Sequence, residues 1–87
     1  MASCKIKLKA SAEKELEKLP KQVLAKTIAA IQELASNPFP HGVKKLTGFE
    51  QTYRVRVGNY RILYTVSKNI LVIEIICIRH RKDAYRR

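Results

Sequence analysis

Residues 53–64 read Tyr-Arg-Val-Arg-Val-Gly-Asn-Tyr-Arg-Ile-Leu-Tyr, so that apolar and basic side chains alternate on either side of a Gly-Asn pair. A period of two is the pattern of a half-buried β-strand. Gly58 and Asn59 can adopt the positive φ angles that a two-residue hairpin turn requires. We therefore predict a β-hairpin in which three pairs lie opposite each other: Val57 and Tyr60, Arg56 and Arg61, and Val55 and Ile62.

This pairing gives the hairpin two different faces. One face is apolar and suits a core, and it carries Tyr53, Val55, Val57, Tyr60, Ile62 and Tyr64. The other face carries Arg54, Arg56 and Arg61, although like charges that lie opposite each other destabilise a sheet. A fold tolerates such a face more readily if an anion binds there. We interpret it as the working surface, the alternative being a solvated face.

The N-terminal half predicts a strand and two helices. Apolar and lysine side chains alternate in residues 4–9, which predicts an edge strand whose lysines prevent it from pairing with another sheet. Ser11 is a suitable N-cap for a first helix that ends near Leu19. Pro20 suits the first turn of a second helix, which the proline-rich residues 37–40 terminate. The second helix has an apolar stripe at spacings of three and four, formed by Leu24, Ile28, Ile31, Leu34 and Ala35.

The C-terminal half predicts two more strands. Residues 42–46 form a short strand, and residues 70–78 are rich in β-branched side chains, as central strands are. With residues 68–69 as the loop before that strand, Glu74 lies near Leu63 and partly offsets the arginines. The same loop sets three pairs opposite each other: Tyr64 and Ile73, Ile62 and Ile75, and Tyr60 and Cys77.

The length of the chain, 87 residues, allows one modest core. We predict a single domain over residues 1–87 with an α+β fold. In that fold two antiparallel N-terminal helices pack on a small, mostly antiparallel twisted sheet, in the order β-α-α-β-β-β-β.

The charge of the chain is strongly positive and uneven. Eighteen Lys and Arg against seven Asp and Glu give a formal charge of +11. Residues 1–43 contain seven basic and four acidic residues, a net of +3, whereas residues 44–87 contain eleven and three, a net of +8. This balance favours a polyanionic partner, with nucleic acid ahead of an acidic protein.

The cysteines and apolar runs indicate a soluble, cytoplasmic protein. Cys4 and Cys77 are far apart and neither belongs to a Cys-x-x-Cys pair, so we expect free thiols. Lysines interrupt the N-terminus, and the longest apolar run is too short to span a bilayer. No His and Cys spacing matches a metal site and no Gly-rich loop cradles phosphate, so we expect no metal and no cofactor.

Three segments carry a resemblance to a known family: Leu46-Thr47-Gly48, the hairpin of residues 53–64, and Ile-Arg-His-Arg-Lys-Asp-Ala-Tyr at residues 78–85. Together with the strand and helix pair before them, they resemble the RelE/ParE superfamily of bacterial and archaeal type II toxins. The resemblance implies a RelE-like, ribosome-dependent ribonuclease that cuts mRNA in the A site by 2′-hydroxyl attack, without a metal. It also implies a cognate RelB-like antitoxin that wraps the toxin, a monomer within a hetero-oligomer.

The resemblance also implies where the site lies. The basic site residues that RelE-like toxins carry on their middle strands correspond to Arg54, Arg56 and Arg61 in this chain. The site residues near the C-terminus of those toxins correspond to His80, Arg81 and Tyr85. We predict these six residues as the catalytic set. For contacts to RNA we predict Lys44, Lys45, Arg79 and Lys82.

The roles follow from the chemistry of each side chain. Guanidinium forks match phosphate bidentately, which assigns charge stabilisation to Arg61 and Arg81. Neither is needed for the predicted core, so charge reversal there is expected to spare the fold. Arg54 and Arg56 stand where RelE-like toxins often carry lysines, and guanidinium, unlike a buried lysine, does not act as an acid or base. These two arginines would position the RNA backbone.

Proton transfer is therefore expected from the C-terminus. Tyrosine could carry a proton if the arginines lowered its ordinary pKa of about 10, or Tyr85 could stack on a base. Histidine titrates closest to neutral pH, which makes His80 the easiest acid or base chemically. A carboxylate in a loop is more often solvated than a general base, so we expect Glu50 to be solvated. We expect His41, which follows a proline-rich loop, to be structural or exposed.

Three alternatives stay open at this point. The segment with Arg81 and Tyr85 could be a frayed basic tail. The whole chain could be a ParE-like inhibitor of DNA gyrase with the same fold, or a basic module that binds RNA or the ribosome without cutting.

Overall fold

The computed structural model describes residues 4–46, 48, 51–67 and 69–80. In chain order the elements are β1 (Lys5–Leu8), α1 (Ala10–Glu17), α2 (Lys21–Ser36), β2 (Lys44–Lys45), β3 (Thr52–Val57), β4 (Tyr60–Ser67) and β5 (Val72–His80). The strands form one five-stranded sheet in the order β1-β5-β4-β3-β2. β1 runs parallel to β5, and the other neighbours are antiparallel. The predicted α+β architecture and element order are confirmed.

The hairpin forms with the predicted register. Val57 lies opposite Tyr60 and Arg56 opposite Arg61, and the ladder continues without interruption to Thr52 and Thr65. Gly58 has a φ of 59°, whereas Asn59 does not have a positive φ. A positive φ at the first turn position alone is the pattern of a type II′ turn, which matches the twist of the two strands.

The core lies between the helices and one face of the sheet. The apolar side of the hairpin contributes to it as predicted, with Ile62 and Tyr64 fully buried. Around them Tyr53, Val55, Val57 and Tyr60 are partly buried. Within the described part of the chain, the buried apolar residues of the core are Ala12, Ile31, Leu34, Ile62, Tyr64, Val66, Ile73, Ile75 and Ile78.

The predicted pairing of β4 with β5 is wrong. Tyr64 lies opposite Ile75 rather than Ile73, because β5 begins at Val72 and the connection from Ser67 is longer than two residues. Leu71 in this connection has a φ of 52°, a conformation for which a leucine gives no sequence signal.

A β-bulge further changes the end of β5. Leu63 pairs with Cys77 and Tyr64 with Ile75, so Ile76 is an extra residue with no partner on β4. A bulge inserts one residue and re-aims the side chains that follow. Ile78 consequently enters the core in place of the predicted Cys77.

The bulge and the longer connection also move Glu74. Its partners are Thr65 on β4 and Lys7 on β1, so it does not lie opposite Leu63 as predicted.

The helices form where the sequence predicts, but two details differ. Ser11 lies inside α1 and is not its cap, because its hydroxyl donates to the carbonyl of Ile76 at 3.0 Å. In α2 the buried stripe includes Thr27, whereas Ile28 is 41% exposed. The buried stripe thus departs from the predicted one at Thr27 in place of Ile28, while Ile31 and Leu34 are buried as predicted.

Tyr64 joins the sheet to the loop after α2. Its hydroxyl donates to the carbonyl of Pro38 at 2.7 Å, and its ring stacks on Tyr53 at 5.9 Å between centroids. Tyr53 in turn meets Phe39 edge to face at 5.0 Å. Burial, with a smaller effect of Tyr53, raises the pKa of Tyr64 to about 12.

Replacing Tyr64 with Phe is expected to change how stability depends on alkaline pH. The folded-state pKa is raised, so the neutral phenol stabilises the fold below pH 10 and this contribution is lost as the pH rises to 12. The free energy of unfolding of wild type minus that of Tyr64→Phe should therefore fall by roughly 2–3 kcal/mol over this window. Urea unfolding at a series of pH values measures this difference.

Val66→Ala is the control for that measurement, because it removes buried volume without removing a titrating group. The free energy of unfolding of Val66→Ala should decrease with rising pH by the same amount as that of wild type. A wild-type minus Tyr64→Phe difference that stays constant from pH 9 to 12 would contradict the raised pKa.

Candidate functional site

Three arginines form a row across neighbouring strands. Arg56 on β3 lies opposite Arg61 on β4, and Arg61 lies opposite Arg79 on β5. Directly opposed residues project from the same face of a sheet, and neighbouring strands are about 4.8 Å apart. We call this set, Arg56, Arg61 and Arg79, the arginine row. It projects from the face of the sheet opposite to the helices.

The three positions differ in exposure. Arg61 is only 6% exposed although it carries a charge, whereas Arg56 and Arg79 are exposed. Charges interact more strongly where water is excluded, so the field of the central guanidinium is screened less than that of its neighbours. The reason for expecting charge reversal at Arg61 to spare the fold does not hold, because Arg61 is buried; the effect of that substitution on folding stays a prediction.

A second set of basic side chains lies next to the row. Arg54 is two residues before Arg56 on the same face of β3, and it pairs with Lys44 on the edge strand β2. Lys45 pairs with Tyr53 and is exposed. Lys44 is therefore at the margin of the basic face beside the predicted catalytic Arg54, whereas Lys45, opposite Tyr53, projects from the other face of the sheet.

The β-bulge brings Arg79 into the row. Strict alternation from Ile73 and Ile75 would place residue 79 on the core side, and the extra residue Ile76 reverses this. From the sequence, Arg79 is expected just beyond a last strand that ends at Ile78, as an RNA contact, and its place in the row is not expected. The available signal was composition: Ile78 is a better core residue than Cys77.

His80 lies on the other face of the sheet. It is paired with Tyr60, and the two rings meet edge to face at 5.1 Å between centroids. The structure therefore does not bring His80 together with Arg61 and Arg79. The other residues predicted to act, Arg81, Lys82 and Tyr85, lie outside the described residues, and so does Glu50, which we expect to be solvated. His41 is exposed in the turn before β2.

Helix α1 supports the bulged end of β5. The Glu15 carboxylate accepts a hydrogen bond from the Ile78 N–H at 2.8 Å, and its second oxygen is 3.8 Å from Nε of Arg79. Burial raises the pKa of the Cys77 thiol, which a hydrogen bond with Arg79 partly opposes. Cys77 is therefore a protonated thiol at neutral pH rather than a nucleophile.

The described residues offer neither a metal centre nor a membrane span. In residues 4–46, 48, 51–67 and 69–80 no group of three or more His, Cys, Asp or Glu side chains could hold a metal ion. Neither described helix is long and apolar enough to cross a membrane.

The sequence matches one family model and several curated proteins. Residues 6–85 match the model of the ParE toxin of the type II toxin-antitoxin system parDE. A toxin RelE1 of Methanocaldococcus jannaschii is 37% identical over 76 residues, which is 84% of each chain. Toxin RelG of Mycobacterium tuberculosis is 30% identical over 83 residues, 94% of this chain and 95% of the relative.

Solved toxins share the fold. The archaeal RelE–RelB complex from Pyrococcus horikoshii contains a chain with a TM-score of 0.82 and 30% identity, covering 91% of this chain and 96% of that one. The isolated Escherichia coli RelE toxin, at 22% identity and a TM-score of 0.80, covers 90% of this chain and 84% of that one, and shows the fold alone. This chain therefore belongs to the RelE/ParE superfamily and is a RelE-like toxin of the type II toxin-antitoxin class.

Proposed function

We propose that this toxin is a ribosome-dependent endoribonuclease that cuts mRNA in the A site. The observation that carries the proposal is the arginine row: three guanidiniums in register on adjacent strands, with the central one buried. Such an arrangement is costly for a sheet unless an anion binds to it. Single-stranded RNA supplies phosphates at short intervals along a flexible backbone.

The proposed reaction is attack of a ribose 2′-oxygen on the adjacent phosphorus. The new O–P bond forms as the bond from phosphorus to the 5′-oxygen of the next nucleotide breaks, leaving a 2′,3′-cyclic phosphate and a 5′-hydroxyl. The transition state carries additional negative charge on the phosphoryl oxygens. Arg61 and Arg79 meet that charge, because donors held in place before the reaction stabilise it without reorganisation. Arg56 and Arg54 hold the strand in line for attack.

Two protons must also move, one from the 2′-hydroxyl and one to the leaving 5′-oxygen. Arginine remains protonated throughout the physiological range, so the row supplies charge but no acid or base. We assign proton transfer to Tyr85, with Arg81 as a further charge-stabilising group and Lys82 as a phosphate contact. His80, which faces Tyr60 behind the row, would need the ribosome or a rearrangement of the C-terminus to take part.

An antitoxin is the proposed second partner. Several relatives of known structure are RelE–RelB complexes. The C-terminal half of this chain carries a net charge of +8, so an acidic or amphipathic RelB-like segment that covered it would compete with RNA for the same field. The proposed site of action is the cytoplasm, where translating ribosomes are found.

A second candidate function is inhibition of DNA gyrase. The family model that matches residues 6–85 is described as a ParE toxin, which favours this candidate. The arginine row favours the ribonuclease, because three guanidiniums in register suit the successive phosphates of an RNA strand.

Controlled expression in bacterial cells distinguishes the two. We expect growth arrest together with new mRNA 5′ ends at a constant phase relative to codons, without chromosome breaks. Mapping of 5′ ends over the transcriptome and assay of double-strand breaks measure both outcomes in one culture. Breaks and an SOS response with intact mRNA would contradict the ribonuclease and support gyrase inhibition.

A further inference from the structure

The bulged end of β5 is held by side chains of helix α1 rather than by a strand. β1 pairs with β5 as far as Ile75, and its last backbone contact is the Lys9 N–H to the Ile75 carbonyl at 3.0 Å. Beyond that point the Ser11 hydroxyl donates to the carbonyl of Ile76, and the Glu15 carboxylate accepts from the N–H of Ile78. Two side chains one helical turn apart therefore continue the ladder along the outer edge of β5.

Glu15 uses its two oxygens differently. Oε1 is fixed by the Ile78 N–H at 2.8 Å, and Oε2 lies 3.8 Å from Nε of Arg79. Most surface ion pairs are weak because the side chains lose conformational freedom when they form. The Glu15 carboxylate is already fixed by its hydrogen bond to the backbone, so it loses little more on contact with Arg79. Because the carboxylate lies toward Nε, this ion pair does not occupy the two terminal nitrogens of the guanidinium, the atoms that form a bidentate pair with phosphate. Arg79 also hydrogen-bonds with the Cys77 thiol.

We propose that Glu15 is a positioning residue that orients Arg79 for phosphate in the arginine row. The inference rests on the proposed ribonuclease function and adds a residue from outside the basic face. Its chemistry is unusual for a phosphate site, because a carboxylate repels RNA. Glu15 should thus weaken RNA binding slightly while it accelerates cleavage. A residue that only stabilises the fold would not have opposite effects on binding and on cleavage, so the two measurements distinguish the roles.

Three variants test the proposal. Glu15→Gln keeps an oxygen that accepts from Ile78 but removes the charge near Arg79. Glu17→Gln is the matched control, since it removes the same charge from an exposed position of the same helix. Arg79→Lys has two uses. The Nε–H signal that disappears from its ¹⁵N NMR spectrum is that of Arg79. Glu15→Gln is also made in the Arg79→Lys protein, so that its effect can be compared with and without Arg79.

Three measurements apply to each variant. Affinity is measured with a single-stranded 12-nucleotide RNA at fixed salt. kcat and KM are measured with bacterial 70S ribosomes programmed with a defined mRNA. The mobility of the Arg79 Nε–H is measured by its heteronuclear NOE in the free protein.

We expect Glu15→Gln to lower kcat by about 10- to 100-fold, the effect of a misplaced catalytic group. RNA affinity should rise by about two- to fivefold, since one repulsive charge at short range is removed. The Arg79 Nε–H should become as mobile as that of an exposed arginine. Glu17→Gln should leave kcat and the NOE unchanged, and in the Arg79→Lys background Glu15→Gln should lower kcat no further.

Other outcomes overturn the proposal. The proposal is overturned if the heteronuclear NOE of the Arg79 Nε–H is unchanged in Glu15→Gln. It is also overturned if Glu15→Gln and Glu17→Gln have the same kcat. Equal losses of kcat in the wild-type and Arg79→Lys backgrounds would make Glu15 merely structural. If wild type itself does not cut mRNA, the proposed function fails, whereas the NMR signal and RNA affinity still decide whether Glu15 orients Arg79.

Discussion

Arg61→Gln is expected to lower the rate of mRNA cleavage on programmed ribosomes by roughly 10²–10³-fold, the usual cost of removing one preorganised donor to a developing anion. Arg61 is central in the arginine row and only 6% exposed. Its guanidinium is therefore held by the sheet before RNA arrives. The loss should appear in kcat more than in KM, because the extra charge develops only in the transition state.

Two further variants define the cause of that loss. Arg61→Lys keeps the charge but loses the planar fork, and it should recover only part of the rate. Lys26→Gln makes the same change of charge at an exposed position on α2 and should cleave at the wild-type rate. Thermal unfolding checks that Arg61→Gln is folded. A folded Arg61→Gln protein with wild-type kcat would contradict the role of the row.

Ile78→Ala is expected to destabilise the domain by roughly 2–5 kcal/mol, the usual cost of emptying a filled core position. Ile78 is 3% exposed and packs in the core only because the bulge at Ile76 changes the alternation of β5. The neighbouring Ile76→Ala is the matched control, since it removes the same side chain from a residue outside the core. We expect that variant to lose less than about 1 kcal/mol, in the range of small changes away from the core.

Urea unfolding of the pair tests the bulge and the placement of Arg79 together. A regular ladder would place Cys77 in the core and both isoleucines on the opposite face, so their replacements would have similar, small effects. Equal losses in the two variants would show that β5 has no bulge at this position. Arg79 would then project toward the helices, away from Arg61.

The hairpin could be predicted from sequence because every local signal agrees. Gly58 supplies the positive φ, the loop has the shortest length that closes a hairpin, and the alternation of Tyr53 to Tyr64 fixes which side is buried. The pairing of Arg56 with Arg61 followed directly. The family resemblance also led to the correct fold, through segments spread over the whole chain.

The β4–β5 pairing was not predicted because the positive φ of Leu71 has no signal in the sequence and the bulge has only the indirect one that Ile78 suits a core better than Cys77. Leu71 adopts a positive φ that leucine rarely has, which lengthens the connection, and the bulge at Ile76 then changes the side to which each later residue projects. The pairing of Arg79 with Arg61 was consequently not predicted, while the predicted contact of Arg79 with RNA stays a prediction. The contact of Glu15 with Ile78 joins residues 63 positions apart and has no local pattern.

The most direct measurement is identification of the RNA ends produced by the purified protein on ribosomes programmed with a defined mRNA. We predict one cut within the A-site codon, with a 2′,3′-cyclic phosphate on the upstream fragment and a 5′-hydroxyl on the downstream fragment. With Arg61→Gln both products should form roughly 10²–10³-fold more slowly. Mass spectrometry of the fragments reads the ends. Intact mRNA on ribosomes that bind the protein, or fragments ending in a 3′-hydroxyl, would contradict cleavage by 2′-hydroxyl attack at the arginine row.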